Sequence, residues 1–312
     1  MRIGLVVDSA CDLPPEFYSE HKIEVLPITV HVGDDSFVDR RDPKDTLEFY
    51  QRHLANAAHA ETAPLSVEQI KNLFLERLVL DYDFAFCLTI ASSRSPIFEN
   101  ATQASLAVLS EYKTARTRAG VPGPFALRVI DSQNLFSAQG VLAVEVIRMI
   151  GEGHTPNRIR ERIDSLIPAL YMYGLPNDLY HVRSRAAKKG DKSIGWFKYA
   201  LGSALDIKPL IRCHRGDTAS IATIRHFDEG SRRLCQFAAE RIKAGLLTPT
   251  LCVSYTGPLE KLEGLPGYPE LKAMAEEHGV KVYASAASVT CCINTGEGAF
   301  NLAFCAPNHE FK

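Results

Sequence analysis

The chain has 312 residues, 46% hydrophobic and 23% charged, which is enough apolar surface for one large or two smaller cores. Lys+Arg 35 against Asp+Glu 37 leaves a net charge of -2, which removes the electrostatic case for nucleic acid and leaves at most transient membrane contact. No run approaches the ~20 apolar residues that cross a bilayer, and the residues before Asp8 lack the apolar core of a secretory signal, so a cytoplasmic location is expected.

In chain order, Ile3–Val7 reads as a buried strand, and Asp8-Ser9-Ala10-Cys11-Asp12 leads into Pro14-Pro15, which opens a helix. Ile23–Val32 reads as a second strand. Ser66 with Gln69 three residues on forms a capping box for a helix whose apolar positions include Ile70, Phe74 and Leu78. Phe84–Ile90 is again a buried strand, followed by Ser92-Ser93-Arg94-Ser95-Pro96, a serine cap with proline at the first helical position. Leu127–Ile130 repeats the device, ending in Asp131-Ser132 before a helix with Leu142, Val146 and Ile150. Parallel α/β sheets bind ligands beyond the carboxyl ends of their strands. Asp8, Ser9, Ser92, Ser95, Asp131 and Ser132 are therefore candidates for one cleft, with helix caps and turns as the plainer role for each.

The Gly/Pro break at Gly151–Pro156 suggests an N-terminal α/β domain over residues 1–153 and a C-terminal α+β domain over 154–312. In the second half, Ile207–Arg212 and Ala219–His226 flank a His214–Asp217 turn and read as an antiparallel hairpin. A helix near Glu229–Lys243, a strand near Leu251–Tyr255, a helix around Glu270–Glu277 and strands at Val280–Ala284 and Phe300–Phe304 follow. The eight cysteines include no C-x-x-C pair and mostly sit in apolar runs, so reduced structural thiols and no metal site are expected. Arg183, Arg185, Lys188, Lys189 and Lys192 form a basic run that reads as a solvated helix face.

Taken together, these segments resemble the DegV family over essentially the whole chain. Val7-Asp8-Ser9-Ala10-Cys11-Asp12-Leu13-Pro14 is similar to the family's opening T-D-S-x-x-D-L-P, and Thr62-Ala63-Pro64-Leu65-Ser66 stands where the family has T-S-Q-P-S. Ser92–Phe98 resembles S-x-x-S-G-T-Y, Asp131-Ser132 with Gly140 resembles D-S…G, and Asp206–Leu210 resembles N-I-K-P-I. The resemblance implies a Rossmann-like parallel-sheet domain followed by a mixed or antiparallel α+β domain. One long-chain fatty acid would lie in a tunnel between them as the ligand, with no other cofactor and no catalysis by this chain. Thr62 and Ser95 would contact the carboxylate, with Ser92 and Arg94 at the mouth, and a fatty acid kinase subunit would be the partner to which the carboxylate is presented.

The near-terminal H-x-G-P-G of the family stands here as Asn294-Thr295-Gly296-Glu297-Gly298. Asn294 thus takes the place of the headgroup histidine and offers a neutral amide where a histidine offers a proton. Acyl binding is therefore expected to outlast the kinase partnership. Two alternatives remain open on the residues alone. One is a hydrolase or phosphotransferase using Ser95 or Ser9, although no histidine stands in the strand-end loops and no G-x-S-x-G or G-x-x-x-x-G-K-[ST] occurs. The other is a lipid-free interaction module.

Overall fold

The computed structural model describes residues 1–188 and 206–311. Strand β1 (Ile3–Asp8) is buried along nearly its whole length and leads through Pro14 into helix α1 (Pro15–Glu20). The apolar run Ile23–Val32, expected as one strand, is divided at Pro27 into β2 (Glu24–Leu26) and β3 (Ile28–Val32), which join different sheets. Proline has no N–H to give to a ladder, so pairing stops there and the chain changes partners.

The segment after this break was not read as structured from sequence. It holds β4 (Asp35–Asp39), helix α2 (Pro43–His53) capped by the Asp42 carboxylate, a 3-10 turn over Leu54–His59, and β5 (Glu61–Pro64). Helix α3 (Val67–Leu73) opens with the expected reciprocal capping box of Ser66 and Gln69, and a π-helical turn over Phe74–Leu78 carries it on. Next come β6 (Phe84–Thr89), α4 (Ile97–Arg118), β7 (Ala126–Asp131) and α5 (Ser137–Gly151).

The second half runs α6 (Pro156–Leu166), β8 (Leu170–Leu175) and α7 (Leu179–Lys188), then the expected hairpin of β9 (Ile207–His214) and β10 (Asp217–Arg225). It continues with α8 (Phe227–Ala244), β11 (Thr250–Tyr255), α9 (Leu259–Glu263) and α10 (Tyr268–Glu277). It closes with β12 (Lys281–Ala286), α11 (Val289–Thr295) and β13 (Phe300–Cys305).

Three sheets result. The first is wholly parallel, in the order β2-β1-β6-β7, and the second is mixed, in the order β10-β9-β8-β13-β11-β12, with only β11 and β12 parallel. This is the α/β architecture expected, a parallel sheet followed by a mixed one. The third, small and antiparallel in the order β4-β3-β5, is an addition.

Helix α5 is buried from Ser137 to Val146 and packs against β1 and β6 as well as β8, β11 and β13. Its one buried acid, Glu145, is held at 2.8 Å by both Arg148 and Arg162, whose cations keep its carboxyl below the usual range despite burial. A second seam joins the halves at residues 286–288. The Ser288 amide donates to Asp12 at 2.7 Å, Arg41 Nη2 to the Ala286 carbonyl at 3.1 Å, and the Tyr50 hydroxyl to the Ala287 carbonyl at 2.5 Å. Burial raises the Asp12 carboxyl above its usual range, and the neighbouring Arg41 guanidinium draws it back only in part. All eight cysteines are buried free thiols, as expected. Among the described residues, no helix is long and apolar enough to cross a membrane.

Candidate functional site

A cavity of about 300 Å³ lies between the two halves, at the lower end of the size range of small-molecule sites. Its apolar walls include Ile28, Ile90, Leu135 and Phe136 from the first half and Met172 and Ile211 from the second. Alternation along β5 turns Thr62 and Pro64 toward this space, with Thr62 opposite Val30 of β3.

The β6–α4 loop brings Arg94 and Ser95 to the same cavity. Ser95 Oγ accepts the Ile97 amide at 3.3 Å, and Pro96 stands at the helix cap, one position earlier than expected. Arg94 Nη2 donates to Thr218 Oγ1 of β10 at 2.5 Å, and Ser93 Oγ to the Gly216 carbonyl at 3.0 Å. The loop is thereby tied to the β9–β10 turn of the other half.

Of the residues expected at a carboxylate, Thr62, Arg94, Ser95 and Asn294 line the cavity, whereas Ser92 does not. Ser92 is exposed and turned to Asp131, donating from its hydroxyl at 2.5 Å and from its amide at 3.1 Å. The wider strand-end cleft also contracts. Asp8 accepts the amides of Ile90 at 2.6 Å and Ala10 at 3.0 Å, Ser9 Oγ accepts the Ile28 amide at 3.2 Å, and Ser132 Oγ accepts the Asn134 amide at 3.2 Å. These residues close loops and do not line the cavity. Burial pushes the Asp8 carboxyl up to about 6, although the two amides pull it back.

Asn294 sits in the last turn of α11 with its Nδ2 donating to the Thr290 carbonyl at 2.7 Å. A histidine does stand behind this turn, but it comes from α7: His181 Nε2 lies 2.6 Å from the Ile293 carbonyl. Burial lowers the His181 pKa and favours the neutral ring. Gly296 adopts φ 81, and a Cβ there would lie 3.0 Å from the His181 ring, so both backbone and space call for glycine. Glu297, which replaces the proline of the family's H-x-G-P-G, is exposed and lines a separate depression with Lys261 and Asp178.

Sequence reasoning missed Arg185. It was grouped with a solvated basic run, yet it is 5% exposed, lines the cavity and donates from Nη1 to the Ala60 carbonyl. Its Nε has no hydrogen-bond partner among the described residues, and burial lowers its pKa while leaving guanidinium the charged form. Lys189 and Lys192 of that run lie outside the described residues. The site can thus surround an apolar chain and offer hydroxyl, amide and guanidinium donors to an anion.

A family model described as an uncharacterised protein of the DegV family matches residues 2–306. The chain is 49% identical over 313 residues to a DegV domain-containing protein of Xanthomonas campestris pv. campestris, covering 100% of both. Its fold is similar to that of a stearic acid-binding protein from Eubacterium ventriosum, with a TM-score of 0.76, 22% identity and coverage of 97% of this chain and 98% of that one. It is also similar to the fatty acid kinase B3 protein of Streptococcus pneumoniae loaded with linoleic acid, with a TM-score of 0.73, 16% identity and coverage of 98% and 100%. With the family match running almost from end to end and a whole-length relative sharing half its residues, this chain belongs to the DegV family.

Proposed function

We propose that the protein is a non-catalytic carrier that binds one long-chain fatty acid in the cavity between its halves and presents the carboxylate to a partner kinase. The observation that carries the reading is the composition of that cavity: apolar walls drawn from both halves, with polar groups among them that include Thr62, Ser95, Asn294 and the buried Arg185. Each buried methylene of an acyl chain contributes about 0.8 kcal/mol, so the tail supplies most of the affinity. The donors fix the head. Of the two structurally similar proteins above, one is described as stearic acid-binding and the other is loaded with linoleic acid, which supports the same ligand class.

The hydrolase reading loses support because Ser95 Oγ is engaged with the Ile97 amide and, among the described residues, no histidine lines the cavity to act as its base. The kinase partnership is weakened by the neutral Asn294. Glu297 lies outside the cavity lining and puts no like charge among its walls. Native mass spectrometry of the whole protein purified from a bacterial host tests the carrier reading. A retained mass in the fatty acid range is expected. Protein that arrives empty and then takes up no hexadecanoic acid in titration would reject it.

A further inference from the structure

The cavity wall has a polar feature that an unsubstituted acyl chain would leave unused. Asn301 lies in the middle of the six-stranded sheet on β13, paired with Gly174 on one side and Ser254 on the other. It is 1% exposed and lines the cavity, yet its Oδ1 has no hydrogen-bond partner among the described residues. Its Nδ2 donates to Cys291 Sγ at 3.5 Å, an ordinary length for sulfur, which holds the amide against α11. Thr290, one residue earlier on that helix and 6% exposed, also lines the cavity with its Oγ1 unpartnered among the described residues.

Neighbouring polar side chains on the wall behave differently. Thr295 Oγ1 donates to the Cys291 carbonyl at 2.8 Å, Asn294 Nδ2 to the Thr290 carbonyl at 2.7 Å, and Thr218 Oγ1 accepts from Arg94 at 2.5 Å. Gly174 makes the room for the Asn301 amide: a Cβ there would lie 2.8 Å from its Oδ1. Buried polar atoms are almost always satisfied, and each exception needs an explanation; on the wall of a cavity, a bound polar group is one. Exchanging the amide oxygen and nitrogen of Asn301 does not remove the mismatch, because only one end can face the sulfur.

We propose that the acyl chain this protein selects carries a hydroxyl along its length, received by Asn301 and Thr290. The inference rests on the fatty acid reading above and narrows it to hydroxylated acids. Asn301 Oδ1 would accept the ligand O–H, and Thr290 Oγ1 offers a further hydroxyl on the wall of the same cavity. A site built to hydrogen-bond a substrate hydroxyl disfavours the analogue lacking it, because the site's own polar groups are then left unpaired.

The test is calorimetric titration of delipidated whole protein with hexadecanoic acid and its 3-, 10- and 16-hydroxy derivatives. At least one hydroxy acid is expected to bind about fivefold or more tightly than hexadecanoic acid. Asn301→Leu should abolish that preference, weakening the hydroxy acid and tightening hexadecanoic acid until the two bind within about twofold of each other. If Asn301→Leu fails to fold in a thermal melt, Thr290→Val carries the same comparison, with a reduced preference expected. Equal or weaker binding of every hydroxy acid by the wild type would overturn the proposal and leave the carrier reading intact, as would a preference that survives both substitutions. Failure of all four acids to bind would instead remove the carrier reading on which the proposal stands.

Discussion

Replacing Arg185 with methionine separates a headgroup role from a wall role. The side chain is buried, its Nη1 is held by the Ala60 carbonyl, and its Nε is without a partner among the described residues. The guanidinium thus has donor capacity to spare for a carboxylate. A hydrogen bond to a charged group contributes about 1.5–3 kcal/mol, and each 1.4 kcal/mol is about tenfold in affinity. Arg185→Met should therefore weaken hexadecanoate binding by roughly 10- to 150-fold. Hexadecanol, which has the same tail and no charge, should bind the variant within about threefold of the wild type, because methionine keeps the cavity apolar. Arg185→Lys should fall between, since an ammonium keeps the charge without the planar fork. Calorimetric titration with both ligands, beside thermal melts of the empty proteins, reads all of this. Equal weakening of acid and alcohol would show that Arg185 only shapes the wall, and an unchanged affinity for the acid would refute the argument outright.

Ser95→Ala should weaken hexadecanoate binding by about tenfold or more. It should also lower stability by about 1 kcal/mol, since the hydroxyl accepts the Ile97 amide; a melt that moves while affinity holds would leave Ser95 with a role in the turn alone. Arg41→Met strands Asp12 and Asp39 as buried carboxylates, both fully buried and both acting on Arg41. A loss of about 3–5 kcal/mol at pH 7 is expected in urea unfolding. The loss should be smaller near pH 5, because burial pushes Asp39 up to about 6 and the carboxyl there takes a proton; a loss independent of pH would contradict the account. Asp8, raised from 3.8 to about 6, favours folding while protonated. Its contribution is fully present below pH 3.8 and is lost as pH rises through about 6, up to roughly 3 kcal/mol in all. Urea midpoints from pH 4 to 7.5 should therefore fall less steeply for Asp8→Asn than for the wild type, and parallel curves would show that Asp8 does not titrate in this window.

The parts of the fold legible in sequence are those specified locally. The capping box at Ser66 and Gln69, the hairpin around Gly216 and the apolar runs of β6 and β11 all stand where their residues put them. The split at Pro27 was also open to reading, since a proline within an apolar run argues against one central strand. The small β4-β3-β5 sheet was harder, because Asp35–Asp39 has two acids in five residues and reads as a turn until β3 supplies its partner.

The site follows the same division. Thr62, Arg94, Ser95 and Asn294, singled out by short strings, line one cavity. Ser92 stands outside the lining, its hydroxyl given to Asp131, which is distant in sequence. Arg185 was invisible as a site residue because a basic run looks solvated until α7 is seen between the 3-10 turn at 54–59 and α11. Asn301 gave no signal either. Its interest lies in a missing partner, and only packing reveals that.

Helix α5 belongs to the packing of both large sheets at once, covering β1 and β6 with one side and β8, β11 and β13 with another. A gene cut in the Gly151–Pro156 link would hand the helix to the N-terminal fragment and leave the C-terminal fragment with a bare sheet face. The fragments are therefore poor candidates for independent life as modules. Expressed apart they should aggregate, and expressed together they should fold only by finding each other.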